Sequence, residues 1–590
     1  MKNLIWLCWI AGTMVAQDIP FHYTVRVDDP TAEKWHVTLT MQPIPANQSF
    51  YIPAWSPGSY RMCHFGKWVD SLVAFDENGL PLKVLRKNWG EWYIMTPSKT
   101  TPSNIAKVSY VAHDIPEDSL ETLPTTLNEM AADYFFFNGP TMFGYFKDQK
   151  TQKYRVTYRL PKDWNVWCSL DSAGASAFEA VSYDELIDSP VIAGGQRIRR
   201  YDFDVNQARY VMIVNSETPV AMDSIITISK PIIEYQTNFF GEAPFSRYMF
   251  LFNFFTSGKR FGALEHASSS AYYVTPPINQ NQIRPGFYSR VIAHEFFHLW
   301  NPKRIYSSRL FPFQYQEPIK IQGMWFIEGV TEYYAKLTLV RAGILPPAYL
   351  YHEMRTIAQE NFKDNLETLS LRAYEVGVAP VIYTKGALVG LFLDIELRDR
   401  SQNQKSLDDV VRYCNTAFAH NKKGYDDRQL TQVVKDATGI DVKSFYKKYI
   451  AGTNEMPNKD YFKKAGLLYE VHFRPYLGWY LDIDDDSQLF VSSVSGNSTA
   501  SSLKLQNGDI IRSINRKIVP GDADSVRSFL SDIDKMKVGE TIRMTIERDG
   551  KSMDLKGPIL PGTVPDVILT ENPNASPKEI AIRNGILGIQ

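Results

Sequence analysis

Two histidines one helical turn apart, His294 and His298, with Glu295 directly after the first, constrain this chain more than any other feature of it. On a helix, residues four apart lie above one another on one face, so both rings reach a single cation. Imidazoles in this arrangement suit a zinc ion, and the neighbouring Glu295 then has the place of a general base and acid that takes a proton from water and passes it to a leaving amine. Only 10 of the 590 residues are histidine, so two at this spacing around a glutamate are uncommon by chance. A catalytic zinc site needs a third protein ligand, and the fold must therefore bring a second element back to this helix.

That element is visible downstream. Trp325–Ala335 reads Trp-Phe-Ile-Glu-Gly-Val-Thr-Glu-Tyr-Tyr-Ala, an apolar helical stretch with two acids one turn apart. Acids in so apolar a stretch require a cationic partner. Glu328 is the expected third ligand, against the plainer alternative of a salt bridge to Lys303 or Arg304. Glu332 is either the hydrogen-bond acceptor that fixes a ligand imidazole or a solvated helix acid. Upstream, Phe261–Ala267 reads as a short strand entered through Gly262, on which Gly262, Ala263, Glu265 and His266 would border the first residues of an extended peptide. Tyr383 stands at the entry of a further helix, where its hydroxyl could serve a developing oxyanion.

On these residues a resemblance emerges. His294–Ile305, followed by Trp325–Gly329 and Thr331, resembles the glycyl aminopeptidase family of thermolysin-like zinc peptidases. Tyr51–Tyr60 (Tyr-Ile-Pro-Ala-Trp-Ser-Pro-Gly-Ser-Tyr) is similar to that family's N-terminal signature, and Phe240, Gly241, Pro244 and Tyr248 are similar to the opening of its catalytic domain. The resemblance covers nearly the whole mature chain. It implies one Zn²⁺ per chain held by His294, His298 and Glu328, with Glu295 as general base and acid. It implies further that Glu265 holds the substrate's free α-amine, that Tyr383, in a Tyr-any-Lys-Gly setting, stabilises the oxyanion, and that small N-terminal residues, glycine and alanine, are preferred. His266 departs from the asparagine of the broader aminopeptidase pattern, which leaves the pocket less determined than the metal.

Length and composition bound the rest. At 590 residues with 44% hydrophobic content the chain exceeds one core and suggests three or four domains. A net charge of -1 without a basic run excludes nucleic acid as an expected partner. Residues 1–16 carry a lysine at position 2, continue as an apolar run from Leu4 and end in Ala16, the pattern of a secretory signal too short to span a bilayer, so export to the periplasm or beyond is expected. Beyond Cys8, the odd set Cys63, Cys168 and Cys414 permits at most one internal disulfide.

The expected architecture is multidomain α+β. Residues 17–224 show short runs of period two, as in Trp35, Val37, Leu39 and Met41, which predicts a β-sandwich-like domain. Within it the Pro53–Tyr60 run is expected to stiffen a turn bordering the substrate cleft. Residues 225–466 alternate strands with helices, among them helices opening at Pro346-Pro347 and at Ser406, and form the expected thermolysin-like catalytic domain with its helical lobe. Residues 474–560 resemble a PDZ domain, with Leu477, Gly478, Trp479 and Tyr480 as the carboxylate loop and Gln506–Asn515 as its most characteristic run. That module either takes a C-terminal peptide or braces the chain internally. Residues 561–590 read as a tail, either free or docked on the rest of the chain.

The leading expectation is a zinc aminopeptidase acting on peptides with a free N-terminus. Two alternatives remain at this stage: a zinc endopeptidase assisted by the PDZ module, and a peptide-binding protein with an inert peptidase lobe.

Overall fold

The structure is a computed structural model that describes residues 20–97, 102–116, 128–255, 261–274, 286–360, 362–484, 486–533 and 535–589. The leader expected over 1–16 lies outside the described residues. Among them, no helix is long and apolar enough to cross a membrane. Contacts divide the chain into two compact units: one comprises the residues up to Pro347 with Phe362–Glu455 and Ile586–Gln590, the other Ala348–Asn361 with Met456–Gly585.

The first unit opens with an eleven-stranded sheet, in which the predicted alternation is realised. Trp35, Val37, Leu39 and Met41 of strand Lys34–Pro45 are buried, and so are Tyr154, Val156 and Tyr158 of Tyr154–Arg159. A four-stranded sheet packs on it and behaves differently, because its strand Tyr134–Phe137 is buried on both faces. Successive side chains point to opposite faces. Phe135 and Phe137 therefore join the core of Trp35, whereas Tyr134 and Phe136 join a second core with Ile213, Met249 and Tyr273. The small sheet is thus a middle layer between the N-terminal sheet and the one that carries the site.

That next sheet has the order Ile198–Val205, Ala208–Asn215, Arg247–Phe254, Ser269–Val274, Phe261–Glu265. Ala208–Asn215 pairs in parallel with Arg247–Phe254 through the crossover helix Met222–Phe240. Its first two strands precede Ile225, where the catalytic segment was expected to begin. Half-buried alternating strands look alike in sequence, and sheet membership is decided by partners far along the chain. Phe261–Glu265 pairs antiparallel with Ser269–Val274 and forms the far edge of the sheet.

Helices complete the unit. Ser406 caps Leu407–Cys414 as predicted, with Asp409 bonding back to the Ser406 backbone. The turn Trp325–Gly329 is wound as a π-helix and runs directly into Val330–Arg341. It lies against the long helix Ala379–Arg400 at a glycine pair: a Cβ on Gly329 would stand 2.4 Å from Gly386 Cα, and one on Gly386 2.7 Å from Gly329 Cα. Backbones this close fix Glu328 and Tyr383 relative to each other.

The second unit holds a six-stranded sheet with outer strands Trp479–Ile483 and Lys551–Pro558 and helices Thr499–Ser502 and Ala523–Ile533. Val491, Ile511, Val526 and Ile542 lie in its core. The segment expected as a tail is docked: Pro561–Glu571 pairs antiparallel with Leu467–Pro475, and helix Pro577–Leu587 follows. Helix Pro347–Ala358, expected with the catalytic segment, falls almost wholly in this unit.

The glycine contact yields a stability prediction. Gly386→Ala forces a methyl into backbone and should lower unfolding stability by about 1–3 kcal/mol. Chemical denaturation of the two proteins side by side measures it.

Candidate active site

Helix Phe287–Phe297 carries His294 and Glu295, and His298 ends it. The two rings converge as the spacing requires, with Nε2 to Nε2 at 2.9 Å. Glu328 Oε2 stands 3.5 Å from the first Nε2 and 3.4 Å from the second. Donors at zinc bond lengths of about 2.0–2.2 Å in a tetrahedron lie roughly 3.3 Å apart, so the three atoms outline a space for one such ion.

The protonation states sharpen the point. His294 Nδ1 donates to Glu332 Oε2 at 2.9 Å, and His298 Nδ1 donates to the Asn301 carbonyl at 2.6 Å. With those protons committed, rings left neutral would turn two lone pairs on each other, which a cation between them, a proton or a metal ion, relieves. Glu328 Oε2 is itself buried with no hydrogen-bond donor. The residues present fit zinc.

A second layer holds these ligands. Glu332 resolves as the acceptor rather than a solvated acid, since it is buried and its Oε1 also takes Arg290 at 2.8 Å and Lys336 at 2.5 Å. The amide of Asn301 donates to the Phe326 carbonyl at 2.9 Å and to the Thr331 hydroxyl at 3.2 Å, tying the end of the histidine helix to the π turn. Such wide turns occur mostly where a functional side chain must be re-aimed, and Glu328 sits in this one. Burial alone would lower the His294 pKa, but the carboxylates of Glu328 and Glu332 beside it raise it to about 10, so the site favours positive charge. Burial lifts the Glu295 carboxyl to about 7, against the opposing pull of both imidazoles.

Around this centre lies a cleft of about 340 Å³ lined by Trp55–Tyr60, Asp188, Glu265, His266, Lys303 and an apolar wall that includes Phe311, Phe313 and Tyr374. Gly262 and Ala263 are half-buried on the edge strand, and Glu265 is buried at its end. Glu265, Glu295 and His298 offer atoms within 4.8 Å of one another, which joins the strand to the histidine helix. The Tyr383 ring stacks on His294 at 5.6 Å, and burial beside the charge of Glu328 raises its pKa well above the ordinary value, so the hydroxyl stays protonated.

Several residues here were not legible as site residues. Tyr60 donates its hydroxyl to Glu328 Oε1. Gly58, at φ +85, passes so close that a Cβ would lie 2.6 Å from Leu264 Cδ1 and 3.1 Å from both Glu265 oxygens. The Pro53–Tyr60 run therefore does more than stiffen a turn. Asp188 binds His266 Nδ1 at 3.1 Å and Lys303 Nζ at 2.8 Å, leaving His266 Nε2 buried and unpartnered. The salt bridge weighed for Lys303 is thus made to Asp188, not to Glu328. Burial would raise the Asp188 pKa, yet Lys303 and His266 hold it at about 2. An aromatic at the end of the Tyr51–Tyr60 run was the available signal for Tyr60; Asp188 had none.

Comparison with known proteins decides the family. The model of the peptidase M61 N-terminal domain matches residues 22–195, and that of the M61 glycyl aminopeptidases matches residues 288–373, the segment of the histidines and Glu328. The chain belongs to the M61 glycyl aminopeptidase family. It is accordingly a zinc metallo-aminopeptidase, a peptide hydrolase with the cluster His294, His298 and Glu328 as its candidate metal site. No curated protein matches the sequence.

Among solved structures, an aminopeptidase N family protein from Idiomarina loihiensis is similar at a TM-score of 0.72 and 22% identity, over 95% of this chain and 99% of that one. An M1 zinc metallopeptidase mutant from Deinococcus radiodurans, bound to a Tyr-Ser-Ala substrate, is similar at 0.50 and 14%, over 74% of this chain and 94% of that one. At these identities the likeness is one of fold.

In the second unit the expected carboxylate loop links strand Leu467–Pro475 to Trp479–Ile483. The carbonyls of Tyr476, Leu477 and Gly478 accept from the backbones of Thr499, Ala500 and Ser495, while Trp479 and Tyr480 begin the outer strand. Gly478 has φ +65, and a Cβ there would stand 2.0 Å from Ser498 Cβ, so glycine is required.

The bond from Glu332 to His294 predicts a loss on its removal. Glu332→Gln should weaken zinc binding by about 10–100-fold, read by competition with a chelator of known affinity.

Proposed function

We propose that this aminopeptidase removes small N-terminal residues, glycine and alanine, from peptides, and that His294, His298 and Glu328 hold one zinc ion per chain. The single observation that carries this reading is the convergence of two ring nitrogens and a carboxylate oxygen that has no hydrogen-bond donor. Zinc, when bound, supplies a Lewis acid that polarises the scissile carbonyl and lowers the pKa of water in its open position.

This chain's residues do the remainder. Glu295 takes the proton of the attacking water and delivers it to the leaving amine, a role that suits a carboxyl lifted to about 7. Tyr383 donates its hydroxyl to the developing oxyanion. The peptide pairs with the outer edge of the strand at Gly262 and Ala263, and Glu265 anchors its α-ammonium so that only the first peptide bond reaches the reacting atoms. His266, held by Asp188, offers its unpartnered Nε2 to the same cleft. Gly58 roofs Glu265 closely, which supports a small first residue.

The leader-like residues 1–16 support action outside the cytoplasm. The sheet of the second unit supports a PDZ-like module over 474–560, whose edge strand Trp479–Ile483 and loop Leu477–Tyr480 suit either a C-terminal peptide or an internal brace.

Chromogenic glycyl and alanyl amides with free and acetylated amines test the assignment. Free-amine substrates should turn over and acetylated ones should not. Glu265→Gln should raise KM for the free-amine substrates at least 10-fold, and Glu295→Gln should lower kcat by about 10²–10⁴-fold. Equal turnover of acetylated substrates would sink the exopeptidase assignment.

A further inference from the structure

The metal site contains a contact that the catalytic reading does not use. Tyr60 belongs to the N-terminal part of the chain, yet its hydroxyl donates to Glu328 Oε1 across 268 residues of sequence. The other oxygen, Oε2, has no donor and faces the two imidazoles at 3.5 and 3.4 Å. The two oxygens of one carboxylate are thus divided between a tyrosine and the metal position.

The ring of Tyr60 is held on both sides. It meets Tyr374 at 6.2 Å and Tyr383 at 6.3 Å, Tyr374 meets Trp55 at 5.9 Å, and Tyr383 stacks on His294. Trp55 is anchored by a bond from its indole nitrogen to the Gln314 carbonyl at 2.9 Å. A continuous file of aromatic rings therefore runs from the Trp55–Tyr60 loop to a metal ligand.

We infer that Tyr60 is a positioning residue for the third metal ligand: it occupies one oxygen of Glu328, keeps that carboxylate monodentate, and makes the N-terminal loop part of the metal site. The inference rests on the zinc reading proposed above. A carboxylate freed of its hydrogen bond can rotate away or chelate through both oxygens, and either change alters affinity and coordination number.

The test is zinc affinity and cobalt spectroscopy on the full chain. Tyr60→Phe keeps the ring and deletes the donor. It should raise the zinc dissociation constant about 10-fold or more and weaken the visible d–d bands of the Co²⁺-substituted protein as the coordination number rises. Tyr374→Phe, which deletes a hydroxyl of the same aromatic file that is not bonded to Glu328, should leave affinity within about 2-fold. A purely structural role for Tyr60 would lower the melting temperature of the metal-free protein while leaving the cobalt spectrum unchanged, and that result overturns the inference, as does wild-type zinc affinity in Tyr60→Phe. Failure of the underlying reading has a different signature: the wild-type chain binds less than one zinc, or Glu328→Gln binds it as tightly as wild type.

Discussion

The first unit is organised around an arrangement that is unfavourable without a cation. Two imidazole nitrogens meet at 2.9 Å, and the other nitrogen of each ring is bonded elsewhere, one to Glu332 and one to the Asn301 carbonyl. A buried carboxylate oxygen with no donor completes the triangle. Each feature alone costs free energy in a dry interior. The π turn, the Asn301 bridge and the Gly329–Gly386 approach hold them in place together, and all of them restrain Glu328, the ligand that sequence spacing alone could not position.

The layering explains why residues from the start of the chain reach this centre. The strand Tyr134–Phe137 serves two cores at once, so the N-terminal sheet and the catalytic sheet share a middle layer rather than a linker. Within that arrangement the Trp55–Tyr60 loop lines the cleft, and Asp188, just past the helix Tyr183–Ile187, holds Lys303 and His266. A sheet built only as a scaffold would not need Gly58 against Glu265 or Tyr60 on Glu328.

What the sequence made legible was local. His294, His298 and Glu295 follow from helical spacing, the strands around Trp35 and Tyr154 from period two, and the Ser406 cap from a side chain bonding to its own turn. What it hid was either non-local or aperiodic. The run Tyr134–Phe137 shows no alternation because both of its faces are buried. Strands Ile198–Val205 and Ala208–Asn215 alternate like their predecessors, yet bond to a different sheet. Pro561–Glu571 read as tail because its partner, Leu467–Pro475, lies on the far side of a whole folded module. Glu332 stayed open because a period tells which face a residue occupies and not what lies against that face.

The acids of the cleft divide by their partners, and the division has a chemical meaning. Asp188 is neutralised by Lys303, and Glu332 by Arg290 and Lys336. Among the described residues no lysine or arginine nitrogen lies within 4.0 Å of Glu265, Glu295 or Glu328. Burial lifts the Glu295 carboxyl to about 7, with the charge of Glu265 and Glu328 adding to the rise. A dication and one α-ammonium bring three positive charges to these three acids. In the proposed complex Glu295 is then ionised when substrate is bound and is ready to accept a proton, so arrival of the ammonium at Glu265 itself helps set the base for the step that follows.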